Sequence, residues 1–183
     1  MSTTNAKQHQ IINELYTQAC ADLLLAYGLT VDLREQVSSK GSHNKISYVS
    51  ILGATGSGIG LSSVLKIDRD LVVGTHPLGC SDIPNDDLED WCRELNNQLV
   101  GRLKNKLLGY DRVLNVGLPT LITGVDVGPV AAPNSEIHEY SVESAQGQIV
   151  LTLATLVSSD VELYQVESSA GEAVLLEGAL ALF

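Results

Sequence analysis

The sequence has few aromatic residues and few cysteines. Phe, Trp and Tyr make up only 4% of the 183 residues, so we expect a core built mainly from Leu, Val, Ile and Ala. The three cysteines, Cys20, Cys80 and Cys92, form no C-x-x-C pair. Such a sparse, odd set is typical of a reducing compartment, and we expect buried free thiols at all three positions.

The sequence also lacks long apolar runs. No stretch of about 18 consecutive apolar residues occurs, so no transmembrane helix is predicted. The first ten residues, MSTTNAKQHQ, are polar and lack the apolar core of a signal peptide. We therefore expect a cytoplasmic protein.

Positive charge is absent from the last part of the chain. All 11 Lys and Arg residues lie between Lys7 and Arg112, whereas the segment after Arg112 carries nine acidic residues. The net charge of −11 argues against a nucleic-acid or anionic-membrane partner. With 44% hydrophobic and 18% charged residues, the chain has the composition of one globular domain with a sizeable core.

The first half of the chain shows two clear local patterns. Apolar residues at helical spacing predict a helix from about Gln8 to Tyr27, and Gly28 is a plausible stop. From Lys45 to Asp68, apolar segments on both sides of the letters GATGSG predict a β-hairpin. The segment between Arg69 and Pro84 could hold one helical turn, which Pro77 would interrupt.

A second long helix is predicted after Pro84. Asn85 is the candidate N-cap, acidic residues occupy the first turn, and Gly109 is the expected C-cap after Leu108. Beyond it the pattern predicts strands, at Arg112–Val116, Thr120–Val127, Ile137–Val142, Ile149–Val157, Glu162–Val166 and Ala173–Leu182.

These elements predict a two-layer α/β (α+β) fold, with a largely antiparallel sheet and two long helices packed on it. We assign residues 1–157 to the domain proper. Residues 158–183 are expected to be a C-terminal extension that adds a pair of strands to the same domain. The uninterrupted apolar segment Ile149–Val157 would need cover on both sides, which favours a homodimer, although the added tail could instead cap that edge of the sheet.

Several familiar motifs are absent. The glycines of GATGSGIG lack the G-K-[ST] ending of a phosphate loop, and a tight hairpin turn explains them. The four histidines show no ligand spacing, so no metal site is predicted, and no G-x-S-x-G elbow marks a serine nucleophile. The acidic run NDDLEDW is most simply a solvated helix start.

The second long helix has an unusual polar face. At about 100° per residue, six apolar residues form one stripe: Leu88, Cys92, Leu95, Leu99, Leu103 and Leu107. The opposite face carries Glu94, Asn97, Gln98 and Gly101, where a bare glycine opens a gap beside two polar groups. Arg93 and Lys104 flank Asn97 and would suit an anionic partner, although a solvated face with amides by chance gives the same pattern.

The residues around this face resemble the CheX, CheC and FliY family of chemotaxis phosphatases. The segment ELNNQLVGRLKNKL supplies the family's E-x-x-N pair as Glu94 and Asn97, with Gly101 at the family's glycine. The LPT step and closing glycine follow at Leu118–Thr120 and Gly124, and the upstream hairpin also matches. The resemblance covers about Gln8 to Val157, and CheX is the family member that the chain resembles most. It implies that this chain has a CheC-like fold.

The resemblance implies hydrolysis of the aspartyl phosphate on a CheY-like response regulator. In that family the acidic residue, here Glu94, pairs with the regulator's lysine, and the amide, here Asn97, holds the attacking water. Gln98, Gly101, Arg93 and Lys104 would then contact the partner. The chain would bind no cofactor itself, because the Mg²⁺ belongs to the regulator, and CheX relatives form dimers through their sheets.

The chain departs from the family pattern in three places. The short helix expected near Arg69–Gly79 is interrupted by Pro77, and the tail Ser158–Phe183 extends past the family core. The third departure is on the first helix. CheC-type relatives carry a second E-x-x-N on the first helix, whereas this chain has Thr17 where that asparagine would follow Glu14. Two rival interpretations remain. One is a catalytically silent module of the same fold that binds a regulator or a flagellar switch protein, and the other is a purely self-associating protein with Asn97 and Gly101 buried in the contact.

Overall fold

The computed structural model describes residues 3–29, 31–35, 46–80, 82–124 and 135–166, with side chains from residue 5 onward. The helices and strands of these residues, in chain order, are α1 Thr3–Ala26, β1 Arg34–Glu35, β2 Ser47–Gly56, β3 Ile59–Asp68, α2 Arg69–Thr75, α3 Asn85–Leu108, β4 Asn115–Val116, β5 Thr120–Gly124, β6 Glu136–Ser144 and β7 Gly147–Val157.

The seven strands form one sheet in which every described pair is antiparallel. The order is β1-β6-β7-β3-β2-β4, and β5 pairs with β2 beside β4 on the same edge. Both long helices lie on one face, where α1 packs against β7 and α3 packs against β2 and β3. The predicted α+β fold with an antiparallel sheet and two long helices is confirmed, and the short helix α2 joins β3 to α3.

The hairpin β2–β3 confirms the explanation of the GATGSG glycines as a turn. Ser57 and Gly58 are the two turn residues, and both have positive φ, 50° and 76°. Two-residue hairpin loops favour such turns because their twist matches that of the strands. A Cβ at Gly58 would also lie 2.5 Å from the side chain of Val161, so glycine is required there for two reasons.

The start of α3 differs from the prediction. Pro84 is the N-cap and Asn85 is the first helical residue, so the expected Asn85 cap is wrong. The Asn85 side chain instead accepts a hydrogen bond from the Tyr48 hydroxyl and donates one to Glu89. This side chain therefore ties the helix to the sheet. The predicted end is confirmed, with Leu108 the last residue and Gly109 the C-cap.

The first strand of this edge is shorter than predicted, because only Asn115 and Val116 of the predicted strand at 112–116 pair with β2. The next strand, β5, is described as Thr120–Gly124, and residues 125–127 of its predicted span lie outside the described residues. The LPT step falls between these two short strands. There the Gly117 amide bonds the Gly53 carbonyl and Leu118 is exposed, so this edge is interrupted rather than continuous.

The segment after β7 is irregular where a strand was predicted at 162–166. Its backbone groups are satisfied one by one instead of by a neighbouring strand. The Leu163 amide donates to the Gln8 side chain, the Arg112 guanidinium donates to the Glu162 carbonyl, and the Val166 amide donates to the Gly109 carbonyl. The predicted strand at 173–182 lies outside the described residues.

The core lies between the helices and the sheet. Its largest fully buried side chains are Tyr16, Tyr48, Ile12, Leu52, Ile67, Leu71, Leu88, Leu99, Leu103, Leu107, Leu114 and Leu151. A small apolar cavity of about 20 Å³ remains between the end of α1, α3 and the sheet, lined by residues that include Cys20, Tyr27 and Leu95. It has room for little more than one water-sized sphere, far less than a small-molecule site needs.

None of the helices in the described part of the chain is long and apolar enough to span a bilayer.

Candidate functional site on helix α3

The buried face of α3 is the one that its apolar spacing predicts. All six residues of the stripe are buried: Leu88, Cys92, Leu95, Leu99, Leu103 and Leu107. Glu94 and Asn97 lie on the opposite side and are exposed, with Gln98 and Gly101 partly exposed beside them. Because the stripe fixes the rotation of the helix, the polar face points away from the sheet.

The Glu94 carboxylate is contacted by two amides of its own helix. The Gln98 side-chain Nε2 donates to Glu94 Oε1 at 3.1 Å. The Asn97 Nδ2 lies 3.5 Å from Glu94 Oε2, at the limit of a hydrogen bond. Glu94 and Asn97 therefore sit within one turn of each other, and the Asn97 amide is only weakly engaged.

Gly101 lies one turn further along α3 and faces open space. A Cβ built at this position would meet no atom within 4 Å apart from the helix's own neighbouring backbone. No packing requirement of the described chain therefore explains a glycine in mid-helix. The expected gap beside Glu94 and Asn97 is present in the structure.

The two cations beside Asn97 have different surroundings. Arg93 pairs with Glu89 at 3.5 Å and with Asp90, so its charge is already partly neutralised within the helix. Lys104 makes no ion pair with any residue that the structure describes. Of the two, Lys104 is the cation more available to an anionic partner.

An aromatic cluster that the sequence patterns did not reveal lies next to this face. The Tyr27 and Trp91 rings meet edge to face at 5.5 Å, and the His76 ring meets Trp91 at 5.6 Å. Trp91 precedes Glu94 by one turn, and the Tyr27 hydroxyl donates to Gln98 Oε1 at 2.8 Å. Trp91 could have been noticed as the sequence's one tryptophan at helical spacing from Glu94, but Tyr27 comes from the turn that follows α1.

Asn96 is a second residue that the sequence analysis missed. It is fully buried, and its Nδ2 donates to the Ser50 carbonyl at 2.9 Å, while its Oδ1 accepts from the Ser63 hydroxyl at 2.9 Å. The Tyr16 hydroxyl of α1 lies 3.3 Å from the same Ser63 hydroxyl. This hydrogen-bond network connects α3 to β2 and β3 on the side of the helix that faces away from Glu94 and Asn97. The burial of Asn96 could have been predicted from the sequence, because this residue falls at about 200° from Glu94, inside the apolar stripe.

Helix α1 carries no second polar pair of this kind. Glu14 accepts a hydrogen bond from Gln10 of the same helix, and the Thr17 hydroxyl donates to the Glu14 carbonyl. Thr17 thus satisfies the backbone of its own helix and offers no amide. The geometry of the described residues leaves one E-x-x-N site, on α3.

The cysteines divide into two kinds. Cys20 and Cys92 are buried, and desolvation is the main cause that raises the thiol pKa of each, to about 12 for Cys92. Cys80 is exposed in the loop between α2 and α3, so the expectation of three buried thiols is wrong at this position. The reason is local: Pro77 cannot continue helix α2, and residues 77–80 form an exposed stretch of loop before α3 begins.

Two histidines contact acidic groups at the edge formed by β1 and β6. His138 lies between Glu136 at 3.1 Å and Glu35 at 3.3 Å. Buried His9 lies 3.8 Å from Glu136 and bonds the Thr155 hydroxyl at 2.7 Å. Within the residues that the structure describes, no set of three or more His, Cys, Asp or Glu side chains could hold a metal ion.

Comparison by sequence matches the chain to no family model and to no curated protein. Comparison by structure finds clear matches. The chemotaxis protein CheX of Vibrio vulnificus has a TM-score of 0.68 at 15% identity, covering 79% of this chain and 99% of its own. A CheC-like superfamily protein from Shewanella sp. PV-4 has a TM-score of 0.66 at 14% identity, covering 85% and 99%.

A third match comes from a complex. The structure of the CheX–CheY–BeF₃–Mg²⁺ complex from Borrelia burgdorferi contains a chain with a TM-score of 0.56 at 17% identity, covering 77% of this chain and 94% of its own. At these identities the similarity establishes the fold. The chain has the fold of CheX and CheC-like proteins, as the sequence resemblance implied.

Proposed function

We propose that this chain is a phosphatase that hydrolyses the aspartyl phosphate of a CheY-like response regulator in chemotaxis or two-component signalling. The observation that carries the proposal is the pair Glu94 and Asn97, exposed within one turn of each other on a helix that Asn96 fixes from below. The fold supports it, since a chain of the same fold occurs in a complex with CheY.

Asn97 suits the chemical step because an acyl phosphate is already activated. What such a reaction lacks is a water held in line with the phosphorus, not a strong base. A side-chain amide can donate a hydrogen bond to that water and accept one from it. A second carboxylate in the same place would repel the phosphate, so an amide is the better group at position 97.

Glu94 suits the docking step because it is an exposed carboxylate on a rigid element. In the proposed complex it pairs with a lysine of the regulator, in place of its present contact with Asn97. That exchange would free the Asn97 amide for the water. The Mg²⁺ that the partner's phosphate requires would be held by the regulator, and Gln98, Gly101, Arg93 and Lys104 would line the contact.

Separate substitutions of the two residues test these roles. Purified CheY-like regulators would be loaded with acetyl phosphate and Mg²⁺, and their phosphate lifetime followed as each variant is titrated. We expect Asn97→Ala to lower the maximal rate by about 10²-fold or more, the scale of losing a group that positions a reactant, with binding largely intact. Glu94→Ala should raise the half-saturating regulator concentration as well as slow the rate.

Glu14→Ala is the matched control, since it also removes an exposed carboxylate, from α1, and should leave the rate unchanged. Equal rates for Asn97→Ala and the parent would show that the catalytic assignment is wrong. A parent chain that binds phosphorylated regulator without shortening its lifetime would identify a catalytically silent binding module instead.

The proposed function includes a homodimer and a cytoplasmic location, where response regulators act. Apolar side chains remain exposed on the sheet face opposite the helices, notably Ile137 at 51% and Leu156 at 42%. Such surface is typical of a contact between proteins. Light scattering at micromolar concentration should give twice the mass of one chain, and a monomer mass would reject the dimer.

A further inference from the structure

We propose that Tyr27 and Gln98 are positioning residues that hold the Glu94 carboxylate in place for the partner's cation. This inference rests on the proposed function, because it assigns Glu94 the role of docking the regulator. It adds two residues to the site, one of them from the turn that follows α1. Neither touches the phosphate in this scheme, and both act through Glu94.

The hydrogen bonds run in one direction from Tyr27 to Glu94. The Tyr27 hydroxyl donates to Gln98 Oε1 at 2.8 Å, and Gln98 Nε2 donates to Glu94 Oε1 at 3.1 Å. An ionised carboxylate can only accept, so the amide must present its NH₂ group to Glu94. A flipped amide would place two acceptor oxygens against each other, and the phenol donor therefore fixes the orientation of Gln98.

Tyr27 is itself firmly held. Its ring packs edge to face on Trp91 at 5.5 Å with an interplanar angle of 85°. The Trp91 indole N–H donates to the Thr75 hydroxyl at 3.2 Å, and that hydroxyl donates to the Leu71 carbonyl within α2. The donor that orients Gln98 thus belongs to a cluster that joins α2 and α3 to the turn after α1.

This anchoring is what separates the arrangement from an ordinary surface hydrogen bond. Polar contacts between free surface side chains contribute little, because holding both long chains in one geometry opposes the gain. Here Tyr27 is ordered by packing before any partner arrives. A carboxylate that is already oriented loses less conformational freedom on docking, so the partner binds more tightly.

The sharpest variant is Tyr27→Phe, which keeps the ring and its packing on Trp91 and removes only the hydroxyl. In the regulator assay we expect the half-saturating concentration to rise about 3- to 10-fold, the range of one lost hydrogen bond, with the maximal rate unchanged. Tyr140→Phe is the matched control. It also removes a hydroxyl that donates to a side chain, Asn13 Oδ1 at 2.9 Å, on the β6 side of the molecule.

A double variant tests whether the Tyr27 hydroxyl affects regulator binding through Glu94. In a Glu94→Ala background the hydroxyl has nothing to position, so Tyr27→Phe should add no further change. An effect of the same size in both backgrounds would overturn the inference, as would an unchanged half-saturating concentration in the single variant. A loss of maximal rate alone would also overturn it, because positioning for docking predicts a change in affinity.

A measurement without a partner separates this inference from the proposed function. The side-chain ¹⁵NH₂ group of Gln98 should be ordered on the nanosecond timescale in the parent and mobile in Tyr27→Phe, with Tyr140→Phe like the parent. A mobile Gln98 amide in the parent would overturn the positioning chain. If that amide is ordered but no regulator is bound or dephosphorylated, the proposed function fails, and with it the docking role of Tyr27 and Gln98.

Discussion

Two adjacent asparagines of α3 show that the environment of a residue decides whether its side chain contributes to stability or is available to a partner. Asn97 is exposed and its amide is only weakly engaged, whereas Asn96 is fully buried and bonded to β2 and β3. An asparagine side chain is thus available to bind a water molecule at position 97, whereas at position 96 its hydrogen bonds stabilise the fold. Their substitution by alanine should separate stability from activity.

For Asn96→Ala we expect the free energy of unfolding to fall by about 2–4 kcal/mol, because buried polar groups of Ser50 and Ser63 lose their partner. Asn97→Ala should change it by less than about 0.5 kcal/mol, as is usual for a surface substitution. Urea unfolding followed by circular dichroism measures both. Similar losses for the two variants would contradict the buried network.

Cysteine reactivity gives a second test at this scale. The thiolate is the reactive form, and burial raises the thiol pKa of Cys92 to about 12 and that of Cys20 further still. At pH 8, well below those pKa values, both remain protonated and shielded, while Cys80 is exposed. We expect a thiol-specific disulfide reagent to modify one cysteine rapidly in the native protein and three in denaturant. Cys80→Ser should abolish the rapid phase, and a persisting one would refute the burial of the other two.

At the scale of a single element, α3 combines a glycine that lowers helix stability with the proposed docking surface. Gly101 is in the middle of a 24-residue helix, where glycine is about 1 kcal/mol less favourable than alanine. Because no neighbouring atom would meet a side chain there, the chain's own packing does not require the glycine. The open position is explained if another surface must approach the helix between Glu94 and Asn97.

Gly101→Leu should therefore raise the free energy of unfolding by up to about 1 kcal/mol and weaken binding of the phosphorylated regulator. Gly101→Ala should give at least as large a stability gain, because alanine is the better helix former, with a smaller loss of affinity. Thermal unfolding and titration of the regulator measure the two quantities. Raised stability with unchanged affinity for the leucine variant would show that the gap has no part in docking.

At the scale of the whole molecule, the segment after β7 is part of the core. Val161 and Leu163 are buried, and hydrogen bonds tie this segment to α1 and to the end of α3. It closes the end of the helical layer near the β2–β3 turn, where Val161 lies against Gly58. Residues just beyond the assigned domain of 157 residues thus contribute to its packing.

For Leu163→Ala we expect a loss of about 2–5 kcal/mol in the free energy of unfolding, the usual range for a buried leucine. The adjacent Tyr164→Ala is the control, since that side chain is 67% exposed and should change stability by less than about 0.5 kcal/mol. Denaturant unfolding of both variants decides the matter. A tolerated Leu163→Ala would mean that the segment only lies on the surface.

The elements and faces that depend on local periodicity could be predicted from the sequence. The stripe of α3, the hairpin from Ser47 to Asp68 and the exposure of Glu94 and Asn97 follow from side-chain spacing, which is a property of neighbouring residues. Three features are visible only in the folded chain: Asn96 is bonded to two strands, Tyr27 reaches Gln98 across 71 positions, and residues 162–166 form no strand. These features depend on residues that are far apart in the chain. Packing of the whole fold brings such residues together and so decides which hydrogen-bond partners a buried amide or a surface side chain finds. Local sequence patterns describe only neighbouring residues and therefore do not reveal these partners.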